Sequence, residues 1–479
     1  MRPDSRGGLS FAALDLSDRL LLAAVVLLPW AFGGIEIWAY RGAALLVAAA
    51  LTVRLSARKA EDWHLRRIRG ILIPAFLLLG VGLIQIVPLP PGLLGAVSPK
   101  AQELYAATFD AAESDPLAAL ERRALAQVPE AESQPPARES APVMRPVAGR
   151  WEGWRTISLV PAFSLERIFW YVALLLAFLL AQSAAADAER RRAMTAALFL
   201  NFLALAVFGL VYAAIGNTNL YWVRSTLENA RPYGPYVNPA NFAAMMELAT
   251  PWVLAAAVSA YRTQHRPPLP FPILVATGIC CAASGVMSGS RAGVVLIGLG
   301  IVALLVRLPQ RGRALWAAGG VAVLAGAAWL VTVSERLRLF FEIGDEGLMN
   351  VERLAAWKAA AAMLADFPIT GAGIGVFRDV FPIYAPAGGM GRMQHLHNDY
   401  LEVLLETGLP GAVLLVWLIG AFAVAAWSGS RGKVKAYGLM VGLSCLFLHA
   451  LVDFNHQIPA NALTFVILAA IAVAPRRAR

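Results

Sequence analysis

Residues 395–427 read HLHNDYLEVLLETGLPGAVLLVWLIGAFAVAAW. Imidazoles, an amide and carboxylates crowd the first dozen positions, and from Leu409 onward the stretch is almost wholly apolar. A bilayer's hydrocarbon core, about 30 Å thick, is crossed by roughly 20 such residues as a helix. The segment therefore reads as a membrane span with a polar lip. Either the lip caps and anchors a helix start, or it is a reactive centre facing water just outside the bilayer.

The rest of the chain repeats the apolar half of this pattern. Of 479 residues, 58% are hydrophobic and 15% charged, with a mean hydropathy of +0.61. Soluble globular chains carry charge on about a quarter of their residues. Apolar runs suited to spanning occur about twelve times, near 18–35, 37–54, 71–88, 163–185, 194–215, 241–261, 271–287, 292–307, 314–333, 401–427, 436–452 and 457–474. The first pair is joined by GGIE, and the run at 271–307 is interrupted by SGSR. A basic, polar lead precedes the first run without a small-residue cleavage site, so that run reads as an uncleaved span.

The net charge of +10 comes from Lys and Arg in short clusters between apolar runs. With no interleaved aromatic stripe, these clusters read as topology signals and argue against a nucleic-acid partner. Cys280, Cys281 and Cys445 all lie inside apolar runs, which excludes a disulfide framework and a CxxC metal site. With both termini in the cytoplasm, inner connections such as RLSARKAEDWHLRRIR and RLPQRGR gather more than half of the basic residues. The short outer connections then hold only Arg224, Arg231 and Arg291. The lip histidines are consequently expected to face outward, which in a bacterium with two membranes is the periplasm.

The expected fold is all-α and polytopic, with about twelve spans and a helical periplasmic cap. It divides into N-terminal spans (1–88), a first outer loop (89–162), central spans (163–333), a large outer loop (334–400) and C-terminal spans (401–479). The first loop is rich in Pro, Glu, Ala and Ser, so its middle is expected to be disordered. In the second, NVERLAAWKAAAAMLADFP predicts a helix with Asn350 as N-cap and Pro368 just past its end. GAGIG, which follows that helix, reads as a turn, because a dinucleotide site needs a preceding strand.

Candidate chemistry collects in the outer connections. His395 and His397 precede a helix start at which Asn398 or Asp399 can cap and Glu402 and Glu406 stand one turn apart. Imidazoles at an outward rim also suit proton acceptance near neutral pH. Arg291, between two apolar runs, is costly unless paired or lining a wet cavity. Glu247, inside another span, is its structural partner in one reading, and phosphate is its ligand in the other. Arg224 and Arg231 share a loop with Tyr233 and Tyr236, and Pro232 and Gly234 form a stiff turn beside Arg231. His449, Asp453 and His456 fall at i, i+4 and i+7 on one face of an expected helix. Without HExxH or a paired-acid motif, a polar network bracing the cap suits them better than a metal site. No Ser or Cys nucleophile stands near HLHND, which argues against acyl transfer.

His397-Asn398, nine residues, then Gly408-Leu409-Pro410-Gly411 resembles the H[NSQ]x9GxxG signature of the O-antigen ligase and O-antigen polymerase superfamily. SGSRAG is similar to that family's serine-arginine motif, RPYGPYVNPANFA to its glycine-asparagine loop, and residues 352–386 to the arm of its large periplasmic loop. The resemblance spans roughly Arg231 to Asn461. It departs at NPANFA, where Pro239 and Asn241 replace a basic and an imidazole side chain.

The resemblance implies a fold of the lipid-dependent, GT-C type of glycosyltransferase. It implies inverting, metal-independent and cofactor-free transfer of a glycan from undecaprenyl diphosphate to an acceptor hydroxyl, on lipid A core or elsewhere. By the same resemblance His397, or His395, is the base or acceptor-orienting group, and Arg291, Arg231 and Arg224 hold the diphosphate. Asn398, Glu402, Glu406, Glu247, His449, Asp453 and His456 support them. A ligase is the first reading and an O-antigen or exopolysaccharide polymerase the second. A transporter or flippase would carry repeated halves and mid-membrane charge, whereas here the polar residues crowd one face.

Overall fold

The computed structural model describes residues 11–57, 63–113, 153–216, 219–224, 232–262, 267–307, 351–385, 393–430 and 433–475. Every regular element among them is helical. In chain order these are α1 (Leu16–Leu27), α2 (Ile37–Ser56), α3 (Leu65–Gln85), α4 (Pro91–Val97) and α5 (Pro99–Glu113). Then come α6 (Pro161–Ala186), α7 (Ala188–Ile215), α8 (Pro239–Arg262), α9 (Phe271–Met287) and α10 (Arg291–Val306). The chain closes with α11 (Val351–Asp366), α12 (Phe377–Val380), α13 (Asp399–Ser430), α14 (Val434–His449) and α15 (Pro459–Val473).

Six of these, α2, α3, α6, α7, α8 and α13, are long and apolar enough to cross a bilayer, and α9, α10, α14 and α15 are shorter apolar helices. The run expected at 314–333 and the cap residue Asn350 lie outside the described residues. The run expected at 18–35 is not one continuous helix. α1 stops at Leu27, and 3-10 turns carry the chain past Pro29 and the positive-φ glycines Gly33 and Gly34. Proline removes a donor there, and the glycine conformations break the ladder.

α8 is the hub, with 89% of its apolar window buried against 17% for α13 at the periphery. α14 lies almost in contact with α8 because Gly438 and Gly442 face it: a Cβ at either would come within 2.5 Å of a backbone carbonyl oxygen, of Pro251 or of Leu248. This small-xxx-small spacing lets two backbones approach where packing, not water exclusion, drives association. Its consequence for the site is that His449, at the end of α14, is set against Glu247 of α8. At the other end of the bundle Asp18 of α1 is buried between Arg54 of α2 (2.6 Å) and Arg190 of α7 (2.7 Å), which ties three helices together.

A second, smaller apolar core sits where α3 ends and α6 and α13 begin. Leu94, Ala101, Ile157, Ala356, Met363, Phe367, Phe377 and Phe381 build it together with Leu396 and Leu405. The flanks of the first loop thus fold against the second loop. The middle of the first loop lies outside the described residues.

The joint between this lobe and the bundle is made of backbone. α13 is broken at Gly408 (φ +68°, ψ −174°), and a Cβ there would stand 2.2 Å from the Ile369 carbonyl oxygen. Opposite, a Cβ on Gly371 would stand 2.2 Å from the Glu406 carbonyl oxygen. The turn 369–375 is sewn in place by Ala372 N–H to Leu405 O (3.0 Å), Gly373 N–H to Glu406 O (3.1 Å) and Leu409 N–H to Pro368 O (2.9 Å). Gln85, at the end of α3, donates to both Thr370 O and Glu406 O (2.7 Å each) and accepts from Ile374 N–H (3.0 Å).

Candidate active site

His395 and His397 sit on the short segment between the lobe and α13. Asn398 caps α13, its Oδ1 accepting from the N–H groups of Tyr400 and Leu401 (3.1 and 3.0 Å). Its Nδ2 donates to Leu451 O (3.0 Å), while Asp399 N–H donates to Ala450 O (3.0 Å). Glu402 is buried, accepting from Leu396 N–H (2.8 Å) and bonded to His395 Nδ1 (2.8 Å). Trp357 of α11 donates to Leu396 O (3.0 Å). So many ties hold His397 at φ +55°, a left-handed conformation uncommon for a side chain of this size. Strain of about 1–2 kcal/mol at one residue persists where its neighbours over-determine it.

What that geometry achieves is an aimed imidazole. His397 Nδ1–H donates to Asp453 Oδ1 (3.1 Å), which leaves Nε2 as the open ring nitrogen. Asp453 is buried, and its Oδ1 also accepts from Phe454 N–H (2.9 Å). Burial would raise its carboxyl; the His397 hydrogen bond and the charges of His397, His449 and Arg353 outweigh it and hold the group below the usual carboxylate range. The Phe454 ring lies between the two lip histidines, stacked on His395 at 4.7 Å and edge-on to His397 at 4.8 Å.

Behind Asp453, His449 Nε2 stands 4.0 Å from Oδ2, and His449 Nδ1 meets both oxygens of Glu247 at 3.0 and 3.1 Å. Glu247 therefore pairs with a histidine, not with Arg291. His449, Asp453 and His456 do not share a helical face: α14 ends at His449, a turn carries Asp453, and His456 lies in a separate 3-10 turn. His456 Nδ1–H instead donates to Asp399 Oδ2 (2.9 Å), making a second imidazole–carboxylate pair. Glu406 is buried and accepts from Phe377 N–H (3.1 Å), pinning the lobe to α13.

The second pair opens onto an apolar groove of about 310 Å³ between α3, α6, α13 and α15. Leu79, Leu174, Leu418 and Phe465 are among its walls, and Asp399, Glu406, His456 and Tyr171 are among its polar lining. Asp399 Oδ1 and His456 Nε2 are buried there without a protein partner among the described residues.

The arginines are distributed unevenly. Arg291 is the first residue of α10, directly after the cap Ser290, whose Oγ accepts from Gly293 N–H (3.2 Å); it is half-buried and engaged in contacts of its own. Arg224 is held by Glu36 (2.7 Å) over the Phe32 ring (5.0 Å), and no contact among the described residues joins it to His397. Arg231 lies outside the described residues. Arg353 of α11 was not singled out from sequence. Its guanidinium donates to Val452 O (2.9 Å) and its charge acts on both Asp453 and His449. The only local signal for it was an arginine in the first turn of a helix already assigned to the cap. Among the described residues no group of three or more His, Cys, Asp or Glu side chains is arranged to hold a metal ion.

The described residues form a helical bundle with helices long and apolar enough to span a bilayer, which marks a membrane protein, and they carry an imidazole–carboxylate pair and an apolar groove. Residues 276–416 match the family model described as O-antigen ligase, which places this part of the chain in the O-antigen ligase/polymerase superfamily and supports an enzyme of that general type. The matched segment contains Arg291, Arg353, His395 and His397 and stops short of His449 and Asp453. No curated protein matches the chain.

Proposed function

We propose that the protein transfers a glycan from a polyprenyl diphosphate carrier to an acceptor hydroxyl, with inversion at the anomeric carbon. Transfer takes place on the periplasmic face of a bacterial inner membrane. One observation carries this reading: His397 is fixed by Asp453 through Nδ1, leaving Nε2 to take a proton, two residues along the chain from Asp399, which lines a groove of apolar side chains. The acceptor oxygen attacks the anomeric carbon, its proton passes to His397 Nε2, and the bond to the diphosphate oxygen breaks with its electron pair leaving on phosphate. Base assistance of this kind contributes about 10²–10⁴-fold.

The apolar groove suits an isoprenoid chain, and binding there would orient the diphosphate near the lip. Arg291 and Arg353 are the cations proposed to stabilise charge that grows on the leaving phosphate, an interaction stronger in the transition state than in the ground state. Arg224, committed to Glu36, takes a lesser part in this scheme. Asn398, Glu402, Glu406 and the His456–Asp399 pair hold the lip and the groove mouth in register. A full-length polymer passed to a terminal acceptor such as lipid A core makes the protein a ligase. This is the reading favoured here over a polymerase, which would pass the chain to the next lipid-linked repeat.

The test is transfer by purified protein in detergent, with lipid-linked donor, acceptor and added chelator, without any ion gradient. His397→Ala is expected to abolish transfer while keeping the wild-type unfolding midpoint. A fully active His397→Ala enzyme refutes the mechanism. In a deletion strain, accumulation of full-length lipid-linked polymer marks a ligase, and single repeats without polymer mark a polymerase.

A further inference from the structure

The catalytic reading above uses His397 and Asp453 and leaves two buried titratable groups unexplained, Glu247 on α8 and His449 on α14. Both are 1% exposed or less. A polar pair inside a helical bundle is costly to desolvate, and apolar residues would pack the same space more cheaply. The close contact of α14 with α8 at Gly438 and Gly442 brings the two together, so their meeting is built into the crossing of the helices.

The hydrogen-bond geometry sets the ionisation. His449 Nδ1 faces Glu247 at 3.0 and 3.1 Å, and Nε2 faces Asp453 Oδ2 at 4.0 Å. A ring bonded to one carboxylate through Nδ1, with a second carboxylate 4.0 Å from Nε2, is best stabilised electrostatically when both nitrogens carry protons. Asp453 Oδ1 is meanwhile committed to His397 and to Phe454 N–H. The four side chains thus form one line, Glu247, His449, Asp453, His397, running from the centre of the bundle to its lip.

We infer that Glu247 and His449 are positioning residues for the transfer reaction: Glu247 holds His449 as an imidazolium, and His449 holds Asp453 ionised and aimed at His397. This inference rests on the proposed function. When the acceptor proton arrives on His397 Nε2, the line reads minus, plus, minus, plus, with each charge next to its opposite. The His397 Nδ1 proton stays in its bond to Asp453, so no proton has to travel inward. The groups facing Asp453 are His397 from the lip, His449 from α14 and Arg353 from α11. The charged groups acting on His449 are Glu247 of α8, Asp453 and Arg353, and Cys445, one turn back on α14, faces Glu247.

The experiment compares His449→Asn, Glu247→Gln, the double variant and His397→Ala in the purified transfer assay across pH. His449→Asn is expected to lower kcat about tenfold or more, with KM for donor and acceptor within about twofold, since the lost interaction belongs to the transition state. Without the His449 cation nearby, the His397–Asp453 pair takes up a proton at higher pH, so the acid limb of kcat moves upward. Glu247→Gln moves the limb the same way by less, and the double variant is no worse than His449→Asn, because the pair acts as a unit. A purely structural pair would lower the unfolding midpoint and leave the limb where it was. That outcome, or wild-type kcat with an unmoved limb in His449→Asn, overturns the inference. Should His449→Asn fail to fold, the limb of Glu247→Gln decides. A fully active His397→Ala overturns the reading beneath; an inactive His397→Ala beside a wild-type-like His449→Asn overturns only the present inference.

Discussion

Replacing Asp453 with asparagine isolates the charge that the lip depends on. The carboxylate is 3% exposed and accepts from His397 Nδ1–H at 3.1 Å and Phe454 N–H at 2.9 Å. The substituted side chain keeps the volume and one acceptor, so the local fold survives. It loses the charge, and its amide can turn an N–H toward the ring, favouring the tautomer whose Nε2 is protonated and cannot accept from the substrate. A hydrogen bond to a charged group contributes about 1.5–3 kcal/mol, which at about 1.36 kcal/mol per decade corresponds to a loss in kcat of roughly one to two decades. KM should hardly change.

The same charge appears in stability. The Asp453 carboxyl sits below its ordinary value when folded, so its stabilisation is fully present above the unfolded carboxylate pKa of about 3.9. It is lost as pH falls below that toward the folded value. Unfolding midpoints of wild type and Asp453→Asn should therefore differ by a constant amount at neutral pH and converge in acid. Steady-state transfer with saturating donor is the deciding assay: Asp453→Asn turning over within about threefold of wild type, well short of the decade or more expected, refutes the imidazole–carboxylate mechanism.

Gly408→Ala tests the backbone joint. The residue occupies a region of φ/ψ open essentially to glycine, at about 1–3 kcal/mol for other residues, and the added Cβ meets the Ile369 carbonyl oxygen at 2.2 Å, adding about 1–3 kcal/mol of overpacking. The unfolding midpoint and transfer should fall together, whereas Gly420→Ala, with open space around it, should behave as wild type. Arg353→Ala should lower kcat/KM for the lipid-linked donor about tenfold or more, as expected for a lost charge-assisted contact, with partial recovery in Arg353→Lys; unchanged donor kinetics would remove it from the site. Leu79→Trp, at a half-buried position in the groove wall, should raise donor KM and leave the unfolding midpoint close to wild type; an unaffected KM would argue that the lipid lies elsewhere.

What could be read in advance followed from local rules. Asn398 as a cap, the helix ending before Pro368 and the turn at GAGIG each depend on a few adjacent residues, and the structure has each of them. The spacing from His397 to Gly408 and Gly411 was visible too, but its reason was not. Gly408 is needed because Ile369, 39 positions earlier, lays its carbonyl against the same spot. Partners at such distances leave no periodic trace: Gln85 reaches Glu406 across 321 positions and His449 reaches Glu247 across 202.

The misreading of His449, Asp453 and His456 as one face has the same root. Counting by 3.6 assumes that the helix continues, and α14 stops at the first of the three. The stop itself is what makes the centre. Had the helix run on, Asp453 would have remained one turn above His449 on α14. By ending there, the chain turns Asp453 toward His397 while His449 stays fixed on Glu247 inside the bundle. It then sends His456 back to Asp399 at the groove. A single loop of six residues between His449 and His456 thus serves the lip and the groove at once, which is why a substitution that lengthens α14 should disable both.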